Sequence, residues 1–246
     1  MTRLSVNVNK VATLRNSRGG AVPSVLEAVR ACIEAGAPGI TAHPRADERH
    51  IRPEDVYDIA EALEPIRDRV EYNIEGDPRP GLIEMVDKVR PDQCTLVPVR
   101  PGELTSEAGW PADTPKAALV EIIQRFHDHG VRVSVFVDPE LAPIDWAAEL
   151  GADRIELYTE PYARAFEKGA DALDLSVDRY RTASERAASN GLGVNAGHDL
   201  DLANLPTFLT LPHIDEVSIG HALMARAVFV GLGSAVEEYL RITGSR

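Results

Sequence analysis

Acidic and basic side chains occur in or at the ends of several strand-like segments of this sequence. His43 and His198 each close such a segment, Glu75 closes a third, and Glu156 lies in the middle of a fourth. Histidines titrate near neutral pH, and burial can bring carboxyl groups into the same range. Carboxyl groups and histidines that share one cavity form a set of coupled acids and bases. The sequence therefore indicates proton-transfer chemistry, provided that the fold brings these residues together.

Strand-like and helical segments alternate along the chain, and this alternation indicates the fold. The strand-like segments are 4–9, 39–43, 70–75, 93–98, 131–137, 154–158, 192–198 and 216–222. The helical segments are 22–35, 53–67, 81–90, 115–129, 144–150, 177–189, 202–209 and 222–242. Eight strand–helix units predict a single (β/α)8 TIM barrel domain over residues 1–246. A doubly wound open sheet is the alternative, but it would need neither this count nor this regularity.

Side-chain alternation places further polar residues on the inner side of the predicted barrel. Alternate residues of a barrel strand point inward and outward, and the apolar residues here should face the helices. The inward set then contains Asn7, Asn9, Thr41, His43, Asn73, Glu75 and Glu156. Polar side chains in a packed barrel interior are costly unless they are paired or solvated. We therefore expect this set at the mouth of the barrel, where it would line a wet cavity with Arg45, His198 and His221.

Two further features are typical of barrels that bind phosphorylated ligands. Phosphate often lies on the loops after strands seven and eight, where Asp199 and Gly220 stand here beside small residues. Segments 98–115 and 159–175 follow strands four and six and show no clear helical pattern. Long loops at this face of a barrel are usually lids or binding loops.

Composition and charge exclude several classes of function. The formal net charge of −13 disfavours binding to nucleic acid or to an anionic membrane. The N-terminus has no apolar signal-peptide segment and no apolar run could span a bilayer, so we expect a cytoplasmic protein. Cys32 and Cys94 are expected to be buried, reduced thiols. His127 and His129 point apart on a helix, so a dedicated metal site has little support.

Several short motifs, in order along nearly the whole chain, resemble those of a known enzyme family. They are NxNKVATLRNxRGG, GITAHPRxDxRHI, NIEG, TLVPxxPxxxTSExGW, ELYTEPYA, VNAGHDL and EVSIGHAL. The chain is similar in these motifs to the pyridoxine 5′-phosphate synthases of vitamin B6 biosynthesis. The resemblance implies a (β/α)8 barrel with additional helices, which assembles from dimers into a homo-octamer.

The resemblance also implies an activity. In this family 1-deoxy-D-xylulose 5-phosphate condenses with 3-amino-2-oxopropyl phosphate, and the products are pyridoxine 5′-phosphate, phosphate and water. No metal or organic cofactor is implied. The general acids and bases would be His43, Glu75 and His198. Glu156 would stabilise charge on an intermediate.

Contacts to the two substrates follow from the same resemblance. Those to the aminoketone phosphate would come from Asn7, Arg18, Asp199, Gly220 and His221. Those to the sugar phosphate would come from Arg45, His50 and Thr105. Asp199 would act through its backbone, because the family commonly has glycine at that position. Thr105 falls in the long loop after strand four, as expected of a lid.

Asn9 and Lys10 depart from a common family pattern, in which Asp-His contacts the sugar phosphate. Asn9 can still hydrogen-bond a hydroxyl group, and Lys10 can meet a phosphate or a carbonyl group. We therefore expect both on the sugar side of the site. For Lys10, a place at the barrel rim without a ligand contact is the open alternative.

Two other functions would use the same residues. One is a metal-dependent barrel isomerase or hydrolase acting on a phosphorylated metabolite, with the histidines and glutamates as ligands. The other is a sensor that binds a phosphorylated metabolite without converting it, in which case Glu75 and Glu156 would have no evident purpose.

Overall fold

The computed structural model describes residues 1–98 and 108–245. Its strands are β1 Arg3–Asn7, β2 Gly39–Ala42, β3 Glu71–Gly76, β4 Gln93–Leu96, β5 Arg132–Val137, β6 Arg154–Leu157, β7 Gly193–Ala196 and β8 Ile214–Ile219. All neighbouring strands are parallel and pair in sequence order, and β8 pairs with β1. The sheet is therefore a closed barrel, which confirms the predicted (β/α)8 fold and excludes the open sheet.

The α-helices of the described residues lie between and after these strands. They are α1 Asn9–Asn16, α2 Val25–Glu34, α3 Pro53–Leu63, α4 Pro80–Val89, α5 Ala117–Asp128, α6 Leu141–Glu149, α7 Glu160–Lys168, α8 Ala170–Ser189, α9 Leu205–Phe208, α10 His221–Val230 and α11 Leu232–Thr243. Turns from helix to strand use left-handed glycines, such as Gly36, Gly130, Gly151 and Gly191. Glycine adopts this conformation without a Cβ clash, which explains the recurrence of the αβ joint in the sequence.

The first predicted strand is shorter than expected, and a helix follows it at once. β1 ends at Asn7, and α1 begins at Asn9. The carbonyl oxygen of Val8 accepts from the N–H groups of Val11 and Ala12, at 3.1 and 3.4 Å. Because these bonds start a helix, Asn9 lies on α1. The alternation had placed Asn9 on the first strand, and that prediction was wrong.

Two other segment predictions were wrong. Segment 159–175 contains α7 and the start of α8, which Gly169 separates with a φ of 103°. Pro161 stands in the first turn of α7, where its missing N–H has no helical partner to lose. Segment 222–242 is two helices, α10 and α11, divided at Gly231 with a φ of 86°. The predicted loop 98–115 falls largely on residues 99–107, which lie outside the described residues.

The apolar core lies between the barrel and its helices. Outward-facing strand residues such as Val6, Ile40 and Ile155 are fully buried against the helices. Cys32 on α2 and Cys94 on β4 are buried in the same layer as free thiols. This apolar layer stabilises the barrel from outside. The side chains inside the barrel can therefore be polar without loss of the core.

The middle of the barrel interior is polar and internally paired. The hydroxyl groups of Ser5 and Thr41 are 2.7 Å apart, and Asn73 donates to the Thr41 hydroxyl over 3.3 Å. Thr95 donates to the Asn73 side-chain oxygen over 3.1 Å. Thr41 and Asn73 therefore lie below the mouth and pair with each other, so the expectation that they line a wet cavity was wrong.

The polar interior continues to the N-terminal end of the strands. There Glu71 accepts from Arg3 at 2.5 Å and from Arg132 at 2.6 Å. Glu216 is buried 3.7 Å from Arg154. Buried carboxyl groups thus occur both at the mouth and below it, and their charges act on one another.

Candidate active site

A cavity of about 330 Å³ opens at the C-terminal end of the barrel strands. It is lined by Asn7, Asn9, Lys10, His43, Arg45, His50, Glu75, Val97, Phe136, Glu156, Gly197, His198, Asp199, Leu200, Ser218, Ile219, Gly220, His221 and Ala222. The strands thus bring together every predicted site residue except two. Arg18 lies in an exposed turn after α1, outside this lining, and Thr105 lies outside the described residues.

Glu75 lies on β3, where Asn7 at the end of β1 and His43 just after β2 face it. Asn7 Nδ2 donates to Glu75 Oε2 over 3.3 Å, and His43 Nδ1 is 3.9 Å from the same oxygen. Burial, followed by repulsion from Glu216, raises the pKa of Glu75 from 4.5 to about 8. At neutral pH this carboxyl group is therefore protonated and can donate a proton to a substrate.

Glu156 on β6 is the second buried carboxyl group of the cavity. Burial raises its pKa well above the ordinary value, and Glu75 and Glu216 add to the increase. Its Oε2 atom is buried and has no hydrogen-bond partner among residues 1–98 and 108–245. A buried polar atom without a partner is costly. A polar group of a bound substrate would remove that cost.

Two imidazoles stand together beyond β2. The ring centroids of His43 and His50 are 5.7 Å apart, edge to face. Burial, followed by His50 and Arg45, lowers the pKa of His43 well below 6.5. Burial and the Arg45 charge lower the pKa of His50 to about 4. Both rings are therefore neutral at physiological pH. Within the described part of the chain His43 Nε2 is buried without a partner, so this ring is placed to accept a proton.

The chain around His50 is held by α1. Arg15 and Asn16 both donate to the carbonyl oxygen of His50, at 3.2 and 2.8 Å. Arg15 in turn makes two hydrogen bonds to the Asp55 carboxylate, at 2.5 and 2.9 Å. The N–H of Ile51 donates to His50 Nδ1 over 2.9 Å. The proton of the neutral ring must therefore be on Nε2, which can donate to a ligand.

His198 stands directly after β7 and is held by neighbouring aromatic rings. Its ring centroid is 5.6 Å from that of Phe136 and 6.4 Å from that of Tyr158. The hydroxyl of Thr159 donates to its backbone carbonyl oxygen. Burial lowers the pKa of His198, and the nearby Asp199 opposes that change. His198 is therefore a third neutral imidazole in the cavity, after His43 and His50.

Gly197 and Gly220 let the chain pass close to other groups at this mouth. A Cβ atom on Gly197 would lie 2.2 Å from the carbonyl oxygen of Ser218. A Cβ atom on Gly220 would lie 3.2 Å from Asn7. Only glycine therefore fits at 197, and 220 leaves little room for a side chain.

Positive charge at the cavity comes from Lys10, from Arg45 and from the start of α10. That helix begins at His221, and the N–H groups of a first helical turn favour anions. Asp199 has a φ of 63°, in the left-handed region that favours glycine. Its conformation agrees with a backbone role. Together these groups could hold two anionic ligands.

Several wall residues were not predicted from the sequence. Phe136 and Ser218 have the inward parity of β5 and β8, so strand alternation could have identified them. Glu216 lies two residues before Ser218 on β8, so its side chain also points into the barrel, one layer deeper. Its charge acts on both cavity glutamates. The remaining unpredicted lining residues are Val97, Gly197, Leu200, Ile219 and Ala222.

Residues 1–98 and 108–245 contain neither a candidate metal site nor a candidate membrane span. No group of three or more His, Cys, Asp or Glu side chains in this part of the chain could hold a metal ion. No helix in the same ranges is long and apolar enough to cross a membrane.

Solved structures with a similar fold are barrels of distant sequence. Phosphoribosyl anthranilate isomerase from Thermotoga maritima superposes with a TM-score of 0.64 at 14% identity, with all of both chains covered. Thiamine phosphate pyrophosphorylase from Pyrococcus furiosus gives a TM-score of 0.59 at 15% identity, over 99% of this chain and 95% of that one. At such identities the likeness supports the fold alone.

Proteins related by sequence share far more identity with this chain than these solved structures do. The family described as pyridoxal phosphate biosynthesis protein PdxJ matches residues 4–245. Pyridoxine 5′-phosphate synthase of Porphyromonas gingivalis is 52% identical over 240 residues, which cover 97% of this chain and 98% of that protein. The enzyme of the same name from Cytophaga hutchinsonii is 50% identical over 242 residues, 98% of each chain. The chain therefore belongs to the PdxJ family, the pyridoxine 5′-phosphate synthases of vitamin B6 biosynthesis.

Proposed function

We propose that this cavity joins 1-deoxy-D-xylulose 5-phosphate to 3-amino-2-oxopropyl phosphate and closes the ring of pyridoxine 5′-phosphate. Phosphate and water are the other products. The observation that carries the proposal is one cavity that combines the protonated Glu75 with the neutral His43. Acid and base are available there at the same pH, which a sequence of dehydrations and proton transfers requires.

The reaction needs groups that give protons and groups that take them. Imine formation between the amine and the ketone expels water, so the departing oxygen needs a proton. Glu75 is suited to supply it, because its pKa of about 8 keeps the carboxyl group protonated at neutral pH. Carbon-bound protons must leave before the ring can become aromatic. His43 and His198 are suited to accept them, because burial keeps both rings neutral.

Glu156 has a different role in the proposal. Glu156 lines the same cavity as Glu75, and its buried Oε2 has no hydrogen-bond partner among the described residues. A nitrogen that becomes positive during imine formation would favour ionisation of this carboxyl group, and the anion would then stabilise that charge. The high pKa of Glu156 in the free protein supports this role, because the charge appears only when the intermediate does.

The two substrates bind on opposite sides of the cavity in this proposal. The aminoketone phosphate lies toward Asn7, Asp199, Gly220 and His221, at the N-terminus of α10. The sugar phosphate lies toward Asn9, Lys10, Arg45 and His50. Arg18 and Thr105 remain predicted contacts to the aminoketone and the sugar, respectively. Burial keeps Glu75 and Glu156 protonated, so these two carboxyl groups do not oppose the binding of phosphates beside Lys10 and Arg45.

We further propose that the whole chain acts as one catalytic domain, without metal or organic cofactor, in the cytoplasm and as a homo-octamer. Leu14 on α1 and Val228 and Phe229 on α10 support assembly, because these large apolar side chains are exposed. The mass of the purified protein, measured by light scattering, tests the assembly. Eight copies of the 26.8 kDa chain are expected.

The two-substrate assay tests the proposed function. Purified protein is incubated with both substrates, and pyridoxine 5′-phosphate and inorganic phosphate are quantified together. One phosphate per product molecule is expected, and EDTA should leave the rate unchanged. A rate that EDTA abolishes and a divalent cation restores would favour a metal-dependent isomerase or hydrolase. Tight binding of either substrate without product would favour a sensor.

A further inference from the structure

Asn9 lies at the point where the backbone hydrogen bonds between β1 and β2 stop. The last backbone bond of this ladder runs from the N–H of Val8 to the carbonyl of Thr41, at 3.0 Å. In a parallel ladder the following bond would run from the N–H of His43 back to the carbonyl of Val8. That carbonyl is already used by the N–H groups of Val11 and Ala12, which begin α1. The early start of the helix therefore leaves the His43 N–H without its ladder partner.

The Asn9 side chain supplies the missing acceptor. Its Oδ1 accepts from the N–H of His43 over 2.9 Å. The backbone N–H of Asn9 donates in turn to Asn7 Oδ1 over 3.0 Å. Since a backbone N–H can only donate, these two bonds fix the orientation of both side-chain amides. Asn7 must then present its nitrogen to Glu75, as the bond at 3.3 Å shows.

These bonds tie the two proposed acid/base groups to one short turn. Asn7 holds the Glu75 carboxyl group, and Asn9 holds the backbone that carries the His43 ring. Side-chain hydrogen bonds hold the His43 ring only weakly, because its Nδ1 is 3.9 Å from Glu75 and its Nε2 has no partner in the described ranges. The strand β2 ends at Ala42, one residue before it. Without the bond to Asn9, the backbone N–H of His43 would have no hydrogen-bond acceptor on the β1 side.

We infer that Asn9 is a positioning residue for His43, and that its side-chain oxygen acts in the place of the missing backbone carbonyl. This inference rests on the proposed function. It changes the role expected for Asn9, because Oδ1 accepts from the backbone of the protein itself and not only from a sugar hydroxyl. Aspartate at this position would keep the acceptor, and alanine would remove it.

Steady-state kinetics of two variants separate positioning from substrate binding. Asn9→Ala should lower kcat by about 100-fold, the cost of a displaced catalytic group, with both KM values within about threefold of the wild type. Asn9→Asp should recover most of that loss, because it restores the acceptor. A higher KM for the sugar phosphate at normal kcat would overturn the inference, as would an Asn9→Asp variant as slow as Asn9→Ala.

Amide hydrogen exchange tests the same bond without catalysis. The His43 N–H should exchange slowly in the wild type and in Asn9→Asp, and fast in Asn9→Ala. Asn16→Ala is the matched control, because it removes a side-chain amide of the same helix that holds the His50 carbonyl instead. It should leave the His43 N–H protected. Fast exchange of this N–H in the wild type would overturn the inference even if Asn9→Ala failed to fold.

The outcomes also separate this inference from the proposed function. A wild-type protein that forms no pyridoxine 5′-phosphate would refute the function and the positioning role with it. An active wild type whose Asn9→Ala variant keeps its kcat would refute the positioning role alone.

Discussion

Replacing Glu75 by glutamine should stabilise the fold relative to the wild type, and increasingly so as the pH rises. Burial and the nearby Glu216 raise the pKa of Glu75 from 4.5 to about 8. The folded protein therefore keeps this proton over a range in which the unfolded chain has lost it. The stabilisation that the proton provides is complete below about pH 4.5 and is lost as the pH rises to about 8. Glutamine is neutral at every pH, so the variant loses no stability at this position as the pH rises.

The size of the effect follows from the pKa difference. A difference of about 3.5 pH units, at about 1.4 kcal/mol per unit, sets an upper bound of about 5 kcal/mol. Water that reaches the carboxylate through the open cavity reduces this bound, so we expect about 2 to 5 kcal/mol. Most of the change should appear between about pH 5 and about pH 8.

Urea unfolding of both proteins at a series of pH values measures the difference. Glu238→Gln is the control, because Glu238 is a partly exposed surface carboxylate whose pKa Arg226 lowers. Such a group is ionised in the folded and the unfolded state above about pH 5, so its variant should show no trend. A constant difference between Glu75→Gln and wild type across this range would refute the claim that the folded protein holds Glu75 protonated.

Two further substitutions test the packing that supports the site. Gly197→Ala would place a Cβ atom 2.2 Å from the Ser218 carbonyl oxygen and should lower the free energy of unfolding by about 1–3 kcal/mol. Gly233→Ala, where the nearest atom would be 4.0 Å away, should be tolerated, and equal urea midpoints for the two variants would contradict the steric argument. Asp55→Ala leaves Arg15 buried without its carboxylate and should cost about 3–5 kcal/mol in the same assay. A loss within error of zero would show that this ion pair does not hold α1.

The fold could be predicted from the sequence because its signals are local and repeated. Glycines at the αβ joints, such as Gly130, have the left-handed conformation that their place in the pattern predicts. The ends of individual strands and helices were harder to predict from the sequence. Nothing in the alternation of β1 indicates that the Val8 carbonyl will start a helix. In segment 159–175, Pro161 and Gly169 are residues typical of loops, and they obscured α7 and the start of α8.

The candidate site could be predicted in part, because position at a strand end is visible in the sequence and depth inside the barrel is not. His43 and Glu75 have the inward parity and stand at the mouth, as expected. Asn73 has the same parity but lies one layer below, where its partners satisfy it. Parity also could not show that Glu216 lies close enough to raise the pKa of both cavity glutamates. Such couplings depend on distances across the barrel, which single strands do not encode.

The most direct test of the central claim compares the turnover of wild type, Glu75→Gln and His43→Asn with both substrates under the same conditions. Both substitutions keep the approximate size of the side chain and remove its acid or base. The wild type should form pyridoxine 5′-phosphate, and both variants should form none while unfolding as cooperatively as the wild type. Wild-type rates in both variants would contradict the assignment of the chemistry to this cavity.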